Sequence, residues 1–266
     1  MINSISILAG QNKEGHKEEF RRIDIYTGEI IGIVGPTGSG KSALVEDIEQ
    51  LAQSDTTTKR RILINEQVPD PALRFDPKKK LIAQLSQNMN FIADMTVEDF
   101  LKLHSKCRGK DPYLVEKIIY HANLLTGEPI KKEMNLTVLS GGQSRSLMVA
   151  DVAFVSDSPI VLIDEIENAG IKKHEAMKLL SGSGKIVLIV THDPLLALLT
   201  QRRMVMKNGG INKVIQTSQE EKDLCTQLYQ IDKALFRVRE MVRSGAEVVT
   251  DFDFGNTQSK EFELIA

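Results

Sequence analysis

The sequence predicts an α/β fold organised around a parallel sheet, on three observations. Residues 160–163 and 185–190 are continuous apolar runs, the pattern of parallel strands covered on both faces. A glycine-rich loop, Gly35 to Ser42, stands between a β-branched strand run and a helical run. From Thr96 to about Met134 the strand signal gives way to helical periodicity, which marks a helical insertion in the α/β frame.

Taken in order, residues 5–8 and 23–25 are short strands flanking a polar segment, 11–19, and Tyr26-Thr27-Gly28 is turn chemistry. They predict a small antiparallel layer over the core. The strand 30–34 leads into the glycine-rich loop, and residues 43–51 read as a helix. Strands follow at 62–64 and 81–85, separated by a segment with Pro69, Pro71 and Pro77 that reads as a loop. Thr96-Val97-Glu98-Asp99 carries a Thr-x-x-Asp capping signal, and Asp111-Pro112 opens a second helix through Val115, Ile118 and Ile119. Beyond the two buried strands, Asp193-Pro194 begins a helix, Met204-Val205-Met206 and Gly209-Gly210 follow, and Ser218-x-x-Glu221 is a capping box. The helix it opens has Leu224, Leu228, Ile231, Leu235, Val238 and Val242 spaced by fours and threes, a stripe expected to lie on its own domain. A partner-binding or coiled-coil helix is the other reading of that stripe. The tail from Glu247 is polar and mixed.

With 266 residues, 41% hydrophobic and 26% charged, the composition is that of an ordinary soluble protein. A formal charge of −2 gives no global reason to expect direct nucleic-acid binding. Cys107 and Cys225 form no CxxC pair, and both read as packing residues in a reducing compartment. No apolar run reaches membrane-span length and the charged stretch 11–22 is unlike a signal peptide, so a cytoplasmic location is expected, with any membrane attachment through a partner.

Gly35-Pro36-Thr37-Gly38-Ser39-Gly40-Lys41-Ser42 fills every fixed position of the P-loop pattern, with Ala43 continuing into the helix. Glycines let successive N–H groups turn inward onto an anion, and the helix N-terminus adds its positive dipole end. Lys41 is placed to reach the β- and γ-phosphates, and the Ser42 hydroxyl to ligand Mg²⁺. At the end of the strand 160–163, Asp164 and Glu165 form a Walker B pair whose side chains alternate in direction. Asp164 then suits Mg²⁺, directly or through water, and Glu165 the polarisation of an attacking water. Leu139-Ser140-Gly141-Gly142-Gln143, read alone, is a serine-capped helix start.

In the order in which these three motifs stand, the sequence resembles the ATP-binding-cassette ATPase family over most of residues 1–215. Gln87 occupies the place of the family's Q-loop glutamine, and His192 in Thr191-His192-Asp193 that of the switch histidine. The resemblance implies a P-loop NTPase (RecA-like) core, an antiparallel β layer and an inserted α-helical subdomain at about 88–143. Residues 216–266 are then a C-terminal helical extension and tail. It implies ATP and Mg²⁺ as ligands. It also implies a head-to-tail pairing with a second cassette subunit, identical or different, in which Ser140, Gly141, Gly142 and Gln143 of one chain complete the nucleotide site of the other. His192 would contact the γ-phosphate, and Gln87 would sense Mg²⁺ and signal to the helical subdomain. The leading reading is the ATP-binding subunit of a transporter, peripheral at the inner face of the membrane through an integral permease. The alternative is a soluble cassette ATPase that remodels a protein or assists cofactor or metal-centre assembly. A DNA-maintenance cassette lacks support, because no long coiled coil separates Gln87 from Ser140.

Several positions depart from the family pattern. Ile166 replaces the proline after the Walker B glutamate, Ile171 the D-loop aspartate, and Ser144-Arg145-Ser146 a more basic run. Phe20, His16 and Tyr26 are the aromatic candidates for stacking on adenine, and none stands where the family places one, which implies relaxed nucleobase selectivity.

Overall fold

The structure is a computed structural model that describes residues 2–75, 80–86, 89–164 and 170–247. The apolar strand runs build two sheets. Strands β1 (Ser4–Leu8), β2 (Arg22–Tyr26) and β4 (Arg61–Ile64) make an antiparallel layer in the order β2-β1-β4. The larger sheet contains β3 (Ile30–Val34), β5 (Ile82–Leu85), β6 (Ile160–Asp164), β7 (Ile186–Val190), β8 (Arg202–Lys207) and β9 (Gly210–Gln216). Its order is β5-β6-β7-β3-β8-β9, parallel throughout except for the β8/β9 hairpin. Every residue of β7 is buried, as its unbroken apolar run requires.

The antiparallel layer packs through Ile5, Ile7, Ile25 and Ile62 on the face of the large sheet that also holds helix α1 (Lys41–Glu49). The opposite face is covered by α5 (Gly141–Phe154), α6 (Lys173–Ser181), α7 (Pro194–Leu199) and α8 (Gln219–Arg243). A third core joins α3 (Val97–Cys107) and α4 (Leu114–Leu125) to Leu147, Ala150 and Val155, so the helical unit is packed as far as the end of α5.

Local signals act as their chemistry dictates. Thr96 caps α3 by accepting the Asp99 N–H at 3.1 Å, and the Ser218 and Glu221 side chains exchange bonds with each other's backbone ahead of α8. The proline-containing segment is not wholly loop: Pro71 opens a short helix, α2 (Pro71–Phe75), because Asp70 accepts the Ala72 N–H at 2.7 Å. Cys225 is buried, but Cys107 is exposed at the end of α3 and is not a core residue, since that helix turns it away from Val97 and Leu101. Helix α8 lies on its own domain, but of its stripe it is Leu228 that packs into the core, and the rest of the inward face comes from residues beside the stripe. Cys225, Leu228 and Tyr229 pack inward, whereas Leu224, Ile231, Leu235 and Val242 are 47%, 55%, 45% and 63% exposed.

His174 of α6 is buried against Tyr229 of α8, their ring centroids 4.9 Å apart. Burial first, and the charge of Lys178 second, hold its pKa down to about 4. The unfolded chain takes up this proton near pH 6.5 and the folded chain only near 4, so stability present above 6.5 is lost as pH falls through that window. Urea unfolding midpoints measured across this range should show a pH slope that His174→Leu flattens; an unchanged slope would remove His174 as its source.

Candidate active site

All five strands ahead of β9 in the large sheet run parallel, so the loops that follow β3, β5, β6 and β7 leave from one edge. The register aligns their ends: Leu85 pairs with Ile163, Asp164 with Val190, and Val190 with Ile33. Neighbouring strands are about 4.8 Å apart, so Asp164 stands two strands, or about 10 Å, from the strand that feeds the glycine-rich loop. Sequence landmarks separated by over 100 residues thus reach one crevice, the usual ligand position for such a sheet. Gln87 and Glu165, and with them Ile166, lie outside the described residues; the strands that precede them, β5 and β6, end at this edge.

The loop after β3 has the shape of a cradle. Gly35, Gly38 and Gly40 hold φ of 151°, 77° and 100°, in the region side chains disfavour, and Gly40 is the N-cap of α1 with no side-chain cap. Lys41 is buried and donates Nζ to the carbonyls of Gly35 at 2.8 Å and Pro36 at 3.2 Å. Ser39 is buried, and its Oγ has no hydrogen-bond partner. An unpaired buried hydroxyl, turned-in glycines and an uncapped helix start are what an anion would satisfy, so these residues fit a bound phosphate chain. Pro36, Thr37, Gly38 and Ser42 are exposed, while Ala43 is half-buried at the start of α1.

That cradle is braced from outside by groups the sequence did not mark. Arg60 is wholly buried. It donates to Glu18 at 2.7 and 3.0 Å, to Asp47 of α1 at 3.0 Å and to the Gly209 carbonyl at 2.9 Å. Burial alone would lower its pKa, but Glu18 and then Asp47 outweigh that and raise it, so the cation persists. Glu18 further accepts the Gly10 and Ile211 N–H groups, and the Gly209 N–H bonds the Ser39 carbonyl at 2.8 Å. Arg60 sits in the charged run Lys59-Arg60-Arg61, which reads as solvated surface, and no spacing rule links it to residues 18, 47 and 209.

His192 follows β7 and is exposed. Asp193, not His192, caps α7, accepting from Leu195 N–H at 2.8 Å and Leu196 N–H at 3.3 Å. Its other oxygen binds Lys173 at 2.5 Å, and Lys173 also reaches Asp232 of α8 at 3.3 Å. Burial opposes the charge on Lys173, but Asp193 and Asp232 raise its pKa overall, and the three side chains lock the histidine segment to α6 and α8.

Ser140 caps α5 in a complete capping box, accepting the Gln143 N–H at 3.3 Å while Gln143 Oε1 accepts the Ser140 N–H at 2.9 Å. Gln143 is buried and also donates to the Pro129 carbonyl at 3.1 Å, so its side chain serves the cap, while Ser140 and Gly141 are exposed. This helix start belongs to the core of α3 and α4, not to the packing around the cradle. Arg145 lines a small cavity with Asp164, Leu85 and Met148. Ile171 is buried beside Leu125, Met148 and Ala176, so the residue replacing the D-loop aspartate is a core residue. Of the adenine candidates, Tyr26 lies ahead of β3, at the strand end away from the cradle, and Phe20 packs on the core. His16 alone shares the 11–17 turn beside the loop, exposed and 3.3 Å from Glu14.

The ABC transporter family pattern matches residues 21–168, more than half of the chain. The chain belongs to the ABC transporter family. It is a cassette ATPase, as the P-loop NTPase fold and the family place it. The chain is 62% identical over 245 residues to an uncharacterized ABC transporter ATP-binding protein, MJ0121, of Methanocaldococcus jannaschii, covering 92% of this chain and 94% of that one. It is 32% identical over 205 residues to the sn-glycerol-3-phosphate import ATP-binding protein UgpC of Escherichia coli K12, covering 74% of this chain and 55% of UgpC. Among solved structures, a dimeric post-hydrolysis state of the ATP-binding cassette MJ0796, bound to ADP and Pi, superposes with a TM-score of 0.59 at 22% identity. That match covers 80% of this chain and 99% of the other.

A Cβ at Gly40 would stand 2.6 Å from the Gly209 Cα, on top of the strain of a positive φ. Gly40→Ala is therefore expected to weaken binding of a fluorescent ATP analogue at least about tenfold while far-ultraviolet circular dichroism stays near wild type. Unchanged affinity would show that the Gly40–Gly209 approach does not shape the cradle.

Proposed function

We propose that this chain is the ATP-binding and ATP-hydrolysing subunit of a membrane transporter, pairing head-to-tail with a second cassette and driving an integral permease. The observation that carries the reading is the division of the site. Lys41 and the glycine cradle sit on one core, while the capped helix start at Ser140 sits on another, with Ser140 and Gly141 exposed. The MJ0796 cassette is described as dimeric and UgpC as an import protein, which accords with this assembly and role.

In this reading the Gly35–Ser42 loop amides and Lys41 hold the triphosphate, and Ser140 with the Gly141 and Gly142 amides of the second subunit closes over the γ-phosphate. The Ser42 hydroxyl and Asp164, with Gln87, would hold Mg²⁺, which when bound would supply charge neutralisation for the transferred phosphoryl group. Glu165 takes a proton from the attacking water, and His192, held by the Asp193–Lys173–Asp232 lock, orients that water against the γ-phosphate. Hydrolysis at a shared interface gives the mechanical step: the two chains are held together only while the triphosphate bridges them. Among the described residues no helix is long and apolar enough to cross a membrane, so the permease would be a separate chain or segment.

Two variants separate the steps. Lys41→Ala is expected to abolish ATP binding, whereas Glu165→Gln should bind Mg-ATP without turnover and accumulate a dimer by light scattering. A monomeric Glu165→Gln protein at saturating Mg-ATP would contradict the paired-cassette reading. Co-purification from detergent-solubilised membranes tests the transporter role, and recovery with soluble proteins alone would favour a soluble remodelling ATPase instead.

A further inference from the structure

A second lysine meets the phosphate-binding loop. Lys13 Nζ donates to the Gly38 carbonyl at 2.6 Å on the exposed side of the loop. Its backbone is fixed, because the Lys13 N–H bonds the Asn208 carbonyl at 3.0 Å. Its stem lies on the bare Cα of Gly209, where a Cβ would come within 2.6 Å of Lys13 Cγ. The turn that carries it is closed by Asn12, whose Oδ1 accepts the N–H groups of Glu14 and His16 at 2.9 Å each. The chain leaving that turn is fastened at Glu18 to the buried Arg60.

A neutral carbonyl is a weak terminus for an ammonium beside an anion cradle. Lys41 rests in the same way, on the carbonyls of Gly35 and Pro36, and is the residue expected to turn onto phosphate. Lys13 has the same kind of resting contact at Gly38, with its backbone held by Asn208 and the base of its stem against Gly209, so less side-chain freedom remains to be lost on binding. We propose that Lys13 is a second cationic contact to the polyphosphate of the bound nucleotide, exchanging the Gly38 carbonyl for a phosphate oxygen. The inference rests on the reading of Gly35–Ser42 as a nucleoside triphosphate site. It assigns a ligand contact to the polar turn between β1 and β2.

The test is titration of a fluorescent ATP analogue at low and moderate salt. Lys13→Met keeps the stem on Gly209 and removes the charge. It is expected to raise Kd about tenfold and to flatten the dependence of log Kd on log salt, with Lys13→Arg restoring both. Lys17→Met, which removes an exposed charge from the same turn, is expected to match wild type. A Lys13→Met protein with wild-type affinity or with an unchanged salt slope would overturn the contact, the latter because a lysine that only braces the loop adds no ionic term. If Lys41→Ala also bound the analogue normally, the nucleotide site itself would be refuted; loss of binding in Lys41→Ala alone would refute only the role of Lys13.

Discussion

The architecture around the cradle depends on one buried cation. Arg60 joins three chain segments through one side chain: the turn ending at Glu18, helix α1 through Asp47, and the β8/β9 hairpin through Gly209. Desolvating a guanidinium and two carboxylates is expensive, and replacing such a cluster with apolar side chains is often neutral for stability. What an apolar replacement could not do is fix direction. The forked donors set where the hairpin tip lies, and from that tip the Gly209 N–H holds the Ser39 carbonyl while its Cα touches Gly40. A loop that must present inward N–H groups cannot use its own backbone for support on every side, so support comes from outside it.

The second organising constraint is the parallel sheet. Because β5, β6, β7 and β3 run the same way in register, the cradle, Asp164 and His192 leave a single edge without any of them needing to be near another in sequence. The segment after β7 is then stiffened locally: Asp193 both caps α7 and pairs with Lys173, which leaves His192 projecting between two fastened neighbours. Helix α8 enters this arrangement through Asp232. The C-terminal helix, which docks through Cys225, Leu228 and Tyr229, is thus also tied electrostatically to the histidine segment.

Most of the architecture was legible because it is written in local pattern. The unbroken apolar runs of β6 and β7, the Thr96 and Ser218 capping signals, and the strand–glycine loop–helix order at Gly35 each follow from interactions within a few residues. The failures share a cause: each depended on a distant partner. Arg60 is unmarked in the sequence, since nothing in the local run Lys59-Arg60-Arg61 singles it out before Glu18 and Asp47 fold over it. Cys107 looks like a core residue until α3 is rotated against α4 and α5. The stripe on α8 suggests a packing face, but Tyr229 tilted against His174 and Cys225 seating on α7 turn a side inward that shares only Leu228 with it. Tyr26 is near the loop in sequence and at the far end of the strand in space.

The central claim is that the cradle at Gly35–Ser42 is half of a site whose other half is the Ser140 helix start of a second subunit. Mixing two inactive variants tests it most directly. In a head-to-tail pair of one Lys41→Ala chain and one Ser140→Arg chain, both defects fall in one site and the other site is intact. The mixture should therefore regain ATPase activity that neither variant shows alone, rising with protein concentration as mixed dimers form. If each chain completed its own site, the mixture would stay as inactive as its components.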